Sequence, residues 1–333
     1  MNISDCMKVS SPFLARWNHR LNKSPSRLVA VLLMLLAVYS MSTSVIFIKL
    51  SELDTGVLTA GRLGFSVLFL LPVMEWHRRK AIRQGVVLES GWWHVGVLPG
   101  IIFAFHLISW TIGARMTGSA NATLAVNTAP LIMPFLLAWI ASERVTRNEW
   151  IGTAVAFAGL LVLTAADAKL DPEHFRGDLV CLGSMSFIAL YLAIGRRIAP
   201  RFPSPWLYSV PLYAVAALIC LPLARRPEQW APLFGEHALL EWGCLLGLAI
   251  VPTIFGHGMA MVALRVLRGQ VVAVMSLGQF VTASLMAWMI FGETPHLAFY
   301  IAAALVVTGC AVVIFSKGHV SAESVKSVEV KSP

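Results

Sequence analysis

Ten predominantly apolar blocks, each about 20 residues long, constrain the fold of this sequence more than any other feature. An α-helix rises 1.5 Å per residue, so about 20 residues cross a hydrocarbon core of roughly 30 Å. Backbone polar groups in lipid must be satisfied internally, which restricts spanning segments to helices or closed barrels. The blocks lack the strict alternation of barrel strands, so they predict membrane-spanning helices. Their approximate bounds are 28–48, 57–74, 93–114, 118–140, 149–166, 178–195, 205–224, 239–264, 269–291 and 297–316.

Composition supports this interpretation. Hydrophobic residues make up 57% of the 333 residues and charged residues only 13%, whereas soluble domains are about one quarter charged. The net charge of +9 does not indicate nucleic-acid binding, because nearly all basic residues lie between apolar blocks. The five cysteines show no spacing typical of a metal site or a disulfide framework. We therefore expect no nucleic-acid partner, no metal and no cofactor.

The two ends of the chain are polar. Residues 1–27 predict a basic cytoplasmic segment, and residues 317–333 predict a disordered cytoplasmic tail. The first apolar block exceeds the apolar core of a secretory signal, so it is expected to remain as the first span. A cleaved signal ending near Ser40–Ser44 is the alternative.

The distribution of Lys and Arg predicts the orientation in the membrane. With a cytoplasmic N-terminus, 19 of the 26 basic residues fall in cytoplasmic segments, 6 fall on the opposite side, and Arg62 lies within a span. Cytoplasmic loops are enriched in Lys and Arg. The bias therefore predicts a multi-pass protein of the cell (inner) membrane with both termini in the cytoplasm.

The two halves of the chain repeat each other. A shift of 150 residues superimposes Arg115 on Arg265, Glu143 on Glu293 and Gly159 on Gly309. Five predicted spans separate the copies, and because five is odd the halves enter the membrane in opposite senses. Inverted repeats are typical of secondary transporters. We predict an all-α polytopic membrane protein with ten transmembrane helices in two inverted five-helix repeats, residues 28–166 and 178–316.

Several motifs in both halves resemble the EamA branch of the drug/metabolite transporter superfamily. The first half reads Asn-Ala-Thr-Leu-Ala-Val-Asn-Thr-Ala-Pro at 121–130, followed by Glu143-Arg144. The second half contains Gly-Asp-Leu-Val at 177–180 and Pro-Thr-Ile-Phe-Gly-His at 252–257. The order and spacing of these motifs carry the resemblance, which covers residues 28 to 316.

The resemblance implies a central cavity lined by spans one, three, four, six, eight and nine, with alternating access from the two sides. It implies export of amino acids or related metabolites, with multidrug efflux and metabolite uptake by the same fold as alternatives. The sequence departs from the family in the ninth span, where Gln279-Phe280 stand in place of the Glu-Pro that members often carry. The substrate therefore does not follow from the resemblance.

Polar side chains on these spans are candidates for the cavity wall. An amide in lipid is costly, so Asn127 on span four and Gln279 on span nine are expected to face the bundle interior. Trp110 lies one helical turn after His106 and could stack on a substrate ring or cation, with packing between helices as the alternative. Weaker candidates on spans one and six are Tyr39 and Tyr191.

His106 and His257 are the mid-membrane side chains that titrate around neutral pH, because the apolar spans carry no Asp or Glu at their centres. Each follows a proline of its own span, Pro99 or Pro252. Corresponding proline-interrupted spans indicate the site of a transporter. Both histidines are therefore candidates for the cavity and for proton coupling; the alternative is a hydrogen bond to a neighbouring helix backbone.

Three charged residues are expected to be structural. Arg62 lies about five residues from the outer end of its span, so its side chain could extend to water. Binding a substrate carboxylate is the alternative for Arg62. Glu143 and Glu293 lie in loops that begin helices, as the capping signals Thr146…Glu149 and Thr294-Pro295 indicate.

Two other classes of protein are less consistent with the sequence. An intramembrane enzyme would need a metal or diphosphate site, yet there is no His-Glu-x-x-His motif, no aspartate-rich pair and no Gly-rich loop ending in Lys. A channel or structural partner does not require two similar halves. We therefore expect a transporter without catalytic residues, whose partners are a small-molecule substrate and membrane lipid. The oligomeric state does not follow from the sequence.

Overall fold

The computed structural model describes residues 25–88, 91–167, 172–292 and 297–315, and the regular elements in these ranges are helices. Some of the predictions concern residues outside these ranges. These residues are most of the basic N-terminal segment, the cytoplasmic tail, Glu293 and the Thr294-Pro295 cap.

Ten helical units follow one another in the described residues. Seven are single helices: α1 (Arg27–Leu50), α2 (Thr55–Arg83), α3 (Val97–Met116), α5 (Arg147–Asp167), α6 (Pro172–Ile198), α7 (Trp206–Cys220) and α10 (Leu297–Phe315). Three units are interrupted: α4a (Ser119–Val126) and α4b (Met133–Leu136), α8a (Ala238–Leu248) and α8b (Gly258–Leu264), and α9a (Gly269–Ser276) and α9b (Gly278–Phe291). Short 3-10 or π-helical segments are Trp92–Gly96, Ala129–Leu131, Leu137–Ala141, Ala199–Arg201, Leu221–Ala224, Pro227–Phe234 and Ala249–His257.

Among the described residues, eight helices are long and apolar enough to cross a membrane, or nine if the α4 unit, bent by 45°, counts as one span. The helix α5 occupies the fifth predicted block and is not among the eight. A multi-pass helical protein is therefore established, whereas the count of ten spans stays a prediction.

Large apolar side chains cover the outside of the bundle. Met289 is 80% exposed and Trp139 is 70% exposed, and many Leu and Ile side chains on other helices are also exposed. An apolar surface of this extent is unfavourable in water and suits a lipid environment.

The two halves pack with the symmetry that the repeat predicts. The contact of α3 with α6 has its counterpart in the contact of α8 with α1. The helices α2 and α5 each pack against the equivalent helix of the other half, α7 and α10, and α4a packs against α9b of the equivalent unit. The interruptions of α4 and α9 also fall at equivalent positions. The helices α4a and α9a are both 8 residues long and begin at Ser119 and Gly269, which the 150-residue shift superimposes.

Two equivalent arginines tie each half together in the same way. Arg115, near the end of α3, donates to the carbonyl oxygens of Ser51 at 3.0 Å and Leu53 at 2.7 Å, in the loop after α1. Arg265, at the end of α8b, donates to the carbonyl oxygen of Phe202 at 3.1 Å, in the loop after α6. The sequence repeat is therefore also a repeat of specific contacts.

Glycines bring α5 and α10 into backbone contact. A Cβ added at Gly309 would lie 2.5 Å from the carbonyl oxygen of Gly152, and a Cβ at Gly159 would lie 2.7 Å from the carbonyl oxygen of Ala302. Apolar helices in lipid associate through such close packing of small residues.

We expect Gly309→Ala to lower the thermal unfolding temperature of the purified protein in detergent, because the helix backbones must separate. Overpacking of this kind costs about 1–3 kcal/mol. Gly183→Ala on α6 is the matched control, since its added Cβ has nothing within 4 Å. Equal unfolding temperatures for the two variants would show that α5 and α10 do not approach so closely.

Candidate substrate cavity

A small cavity lies at the centre of the bundle, between the two halves. Its volume of about 50 Å³ has room for a few water molecules. The helices α1, α3, α4, α6, α8 and α9 contribute to the wall, as expected, and α2 adds Arg62. The polar side chains of the wall are Ser44, Arg62, His106, Trp110, Asn127, His257, Ser276 and Gln279.

The two histidines face each other across this cavity. Their ring centroids are 6.3 Å apart, with the rings nearly perpendicular. His106 Nδ1 lies 2.8 Å from Ser184 Oγ and 3.2 Å from the carbonyl oxygen of Ser184. A carbonyl can only accept, so the proton is assigned to Nδ1. In that tautomer Nε2 of His106 is free to accept a proton.

His257 belongs to the π-helical segment that interrupts α8. Pro252 has no N–H to donate to the carbonyl of Leu248, and Thr253 Oγ1 donates to that carbonyl instead, at 2.7 Å. Such segments are frequent at functional sites. The equivalent Pro99 lies in the first turn of α3 and does not interrupt it, so of these two spans only α8 has the expected proline interruption.

Two aromatic side chains, Phe103 and Tyr191, pack against the histidine pair. The Phe103 ring centroid lies 4.9 Å from that of His257 and 4.7 Å from that of Tyr191. Tyr191 is fully buried and packs within 6.1 Å of His257, behind the wall of the cavity. Phe103 was not among the sequence-predicted residues, because a Phe in an apolar span gives no signal of its position.

Arg62 lies inside the bundle, which corrects the expectation that its side chain extends to water. It is only 2% exposed, and its Nε donates to Thr253 Oγ1 at 2.6 Å. Its NH1 donates to Ser44 Oγ at 3.2 Å, and Trp110 Nε1 donates to the same oxygen at 3.1 Å. These hydroxyl acceptors and the adjoining cavity provide a polar environment in the interior, so the side chain need not reach the helix end.

The two predicted amides meet. Gln279 Nε2 donates to Asn127 Oδ1 at 3.1 Å, and Asn127 Nδ2 donates to the carbonyl oxygen of Thr123 at 2.7 Å. The bond joins the two halves at the point where α4 and α9 are both interrupted.

A third amide, Gln270, was not predicted from the sequence. Pro134 cannot donate to the carbonyl of Pro130, and Gln270 Nε2 donates to that carbonyl at 3.1 Å. Gln270 Nε2 also lies 2.8 Å from Thr153 Oγ1. Gln270 therefore satisfies the backbone at a break in α4, outside the cavity wall.

The cavity candidate Tyr39 and the structural charge Glu143 both lie away from the cavity. Tyr39 is 57% exposed, while Met41 and Ser44 of the same helix line the cavity. At 100° per residue, Tyr39 points away from both, which corrects its assignment to the wall. Glu143 accepts from Arg196 Nε at 2.7 Å and from the N–H of Gly269 at 2.9 Å, at the start of α9a.

Cysteine substitution tests the placement of the two amides. Asn127→Cys and Gln279→Cys are each expected to react with a small membrane-permeant thiol reagent, because both side chains line a cavity with room for water. Ala216→Cys on α7 is the matched control, since Ala216 is fully buried and lies outside the wall. Equal labelling of all three variants would contradict the assigned helix faces.

Known proteins share this architecture. The profile of the EamA-like transporter family matches residues 28–165 and 175–315. A solved crystal structure matches with a TM-score of 0.65 at 22% identity, covering 86% of this chain and 98% of that one, and so shares the fold.

Three relatives are similar over most of their length. A Rickettsia prowazekii (strain Madrid E) protein named S-adenosylmethionine uptake transporter is 24% identical over 258 residues, covering 77% of this chain and 81% of the relative. A Rickettsia felis (strain ATCC VR-1525 / URRWXCal2) protein of the same name is 25% identical, and the match covers 77% of this chain and 81% of the relative. The uncharacterized transporter YwfM of Bacillus subtilis (strain 168) is 24% identical, and the match covers 66% of this chain and 73% of the relative.

Proposed function

This chain belongs to the EamA-like transporter family, and we propose on that premise that it is a secondary transporter in which the central cavity opens alternately to the two sides of the membrane. One observation carries the proposal. Asn127 and His106 of the first half meet Gln279 and His257 of the second half at the cavity. A rocking motion of one half against the other would change access to these groups.

The proposed substrate is a small metabolite, an amino acid or a compound derived from one. The Rickettsia relatives support this class, because their names specify S-adenosylmethionine. The resemblance to the family favours export as the direction, and the names of these relatives favour uptake as the second candidate. Purified protein in proteoliposomes, tested with labelled methionine and S-adenosylmethionine in both directions, distinguishes the two directions. Chemical conversion of the solute in place of its movement would favour an enzyme.

The proposed topology has ten spans, with α4 and α5 each crossing once, and both termini in the cytoplasm of the inner membrane. The basic residues support this orientation, since they concentrate on the side of the N-terminus.

A reporter enzyme that is active only outside the cytoplasm, fused after Lys317, is therefore expected to be silent. The same reporter inserted after Arg225, in a loop of the opposite side, should be active and serves as the control. Activity of the Lys317 fusion would mean that the number of spans is odd.

The proposed driving force is an ion gradient, because the sequence contains no phosphate-binding loop for ATP. The histidine pair is the proposed carrier of a proton. In the assigned tautomer, Nε2 of His106 has no hydrogen-bond partner among the described residues, and the second imidazole lies across the cavity. Either ring can take up a proton when the cavity opens to water and release it on the other side.

A further inference from the structure

One nitrogen of the Arg62 guanidinium lacks a partner within the part of the chain that the structure describes. A guanidinium carries five N–H donors. Nε is bonded to Thr253 and NH1 to Ser44, whereas NH2 has no hydrogen-bond partner among the described residues. The residue is 2% exposed and lines the central cavity. A buried cationic donor thus faces the space where a solute would bind.

The positive charge of Arg62 is also uncompensated within the described part of the chain. The cavity wall formed by these residues contains no Asp or Glu. The ion pairs found among them involve Glu75, Glu143 and Glu149, and not Arg62. A buried charge is costly unless it is paired. The working cavity therefore favours a negatively charged group beside Arg62.

We propose that Arg62 binds the carboxylate of the transported solute, so that the cavity takes monocarboxylates, including zwitterionic amino-acid derivatives. The inference rests on the proposed function, because it assigns one contact of the same cavity.

A carboxylate fits this position better than a phosphate does. The NH2 group offers two N–H donors to oxygen atoms of a carboxylate or a phosphate, so the balance of charge in the cavity distinguishes the two ligands. Among the described wall residues, Arg62 is the side chain with a permanent positive charge, so one negative charge restores neutrality. A phosphate dianion would leave an excess negative charge in the cavity.

The test compares acids with partners of the same skeleton that lack the carboxylate. The pairs are methionine with methioninamide, S-adenosylmethionine with its decarboxylated form, and phenylacetate with phenylacetamide; inorganic phosphate is included. In at least one pair, the acid should raise the thermal unfolding temperature of the purified wild type while its partner does not. The acid concentration for half of this effect should rise at least about tenfold in Arg62→Gln, equivalent to about 1.4 kcal/mol.

A second variant keeps the test valid if Arg62→Gln folds poorly. Thr253→Val removes one hydrogen bond of Arg62 but keeps the guanidinium, so it should still discriminate the acid from its partner. The inference is overturned if no acid stabilises the wild type, if acid and partner stabilise it equally, if phosphate is preferred, or if Arg62→Gln or Arg62→Ala discriminates as the wild type does.

Transport is measured separately with the same compounds in proteoliposomes. Carboxylate binding that depends on Arg62, without flux of any compound, would reject the proposed function and leave this inference standing. Flux that is indifferent to the carboxylate and to Arg62 would support transport and overturn this inference.

Discussion

Replacing His106 and His257 together with Gln is expected to abolish solute accumulation driven by a pH gradient while downhill exchange continues. Gln keeps hydrogen-bonding capacity in the cavity but cannot carry a proton between about pH 5 and 8. Without that carrier the proton gradient has no route through the site, so the ratio of internal to external solute should fall to about 1. The measurement is accumulation in proteoliposomes under an imposed pH gradient, repeated at several pH values.

His237→Gln is the matched control for the double variant. His237 precedes α8a and lies outside the cavity wall, so its replacement should leave accumulation and its pH profile unchanged. If the double variant still concentrates solute with an unchanged pH profile, the two histidines are structural. The protein would then be a facilitator or would couple through another group.

Among the single substitutions considered outside the cavity, Glu149→Ala is expected to destabilise the protein most. The Glu149 side chain is 1% exposed and accepts from Arg268 Nε at 2.5 Å and from the Thr146 N–H at 2.7 Å. Its removal leaves Arg268, which is 12% exposed, without its nearest carboxylate and also removes the predicted cap of α5. Breaking a buried pair in this way costs about 3–5 kcal/mol.

Thermal unfolding in detergent measures this loss, with Glu75→Ala as the control. Glu75 also accepts from two arginines, but this cluster is partly exposed, and exposed pairs contribute about 0–1 kcal/mol. Glu149→Ala should therefore unfold at a much lower temperature than Glu75→Ala. Similar decreases in both variants would mean that burial of the Glu149–Arg268 pair contributes little to stability.

The apolar blocks, the repeat and the inward orientation of the two amides could be predicted because each depends on pattern or spacing. The rotation of each helix about its own axis, which decides the face that points inward, could not be predicted. In lipid the outer face of a span is as apolar as its inner face, so the sequence of α1 does not show that Ser44 faces inward and Tyr39 outward.

The hydrogen-bond donors to the free carbonyls at the helix breaks could not be predicted either. The prolines of α4 and α8 predict free carbonyls, but the residues that satisfy them, Gln270 and Thr253, depend on packing between helices. The position of Arg62 depends in turn on Thr253 and Ser44. Ser and Thr bond their own helix carbonyls readily, so their sequence positions do not indicate that they support a buried cation.

The central claim is that solute passes through the cavity between the two halves, and one exchange measurement tests it whatever the substrate is. Proteoliposomes are loaded with an isotopically labelled extract of small metabolites and placed in the unlabelled extract, and mass spectrometry follows the exchange. At least one metabolite should exchange, chemically unchanged, with wild-type protein and not with Asn127→Trp, whose indole would fill a cavity of about 50 Å³. The account is contradicted if no metabolite exchanges faster than in protein-free vesicles, or if a folded Asn127→Trp variant exchanges as fast as the wild type.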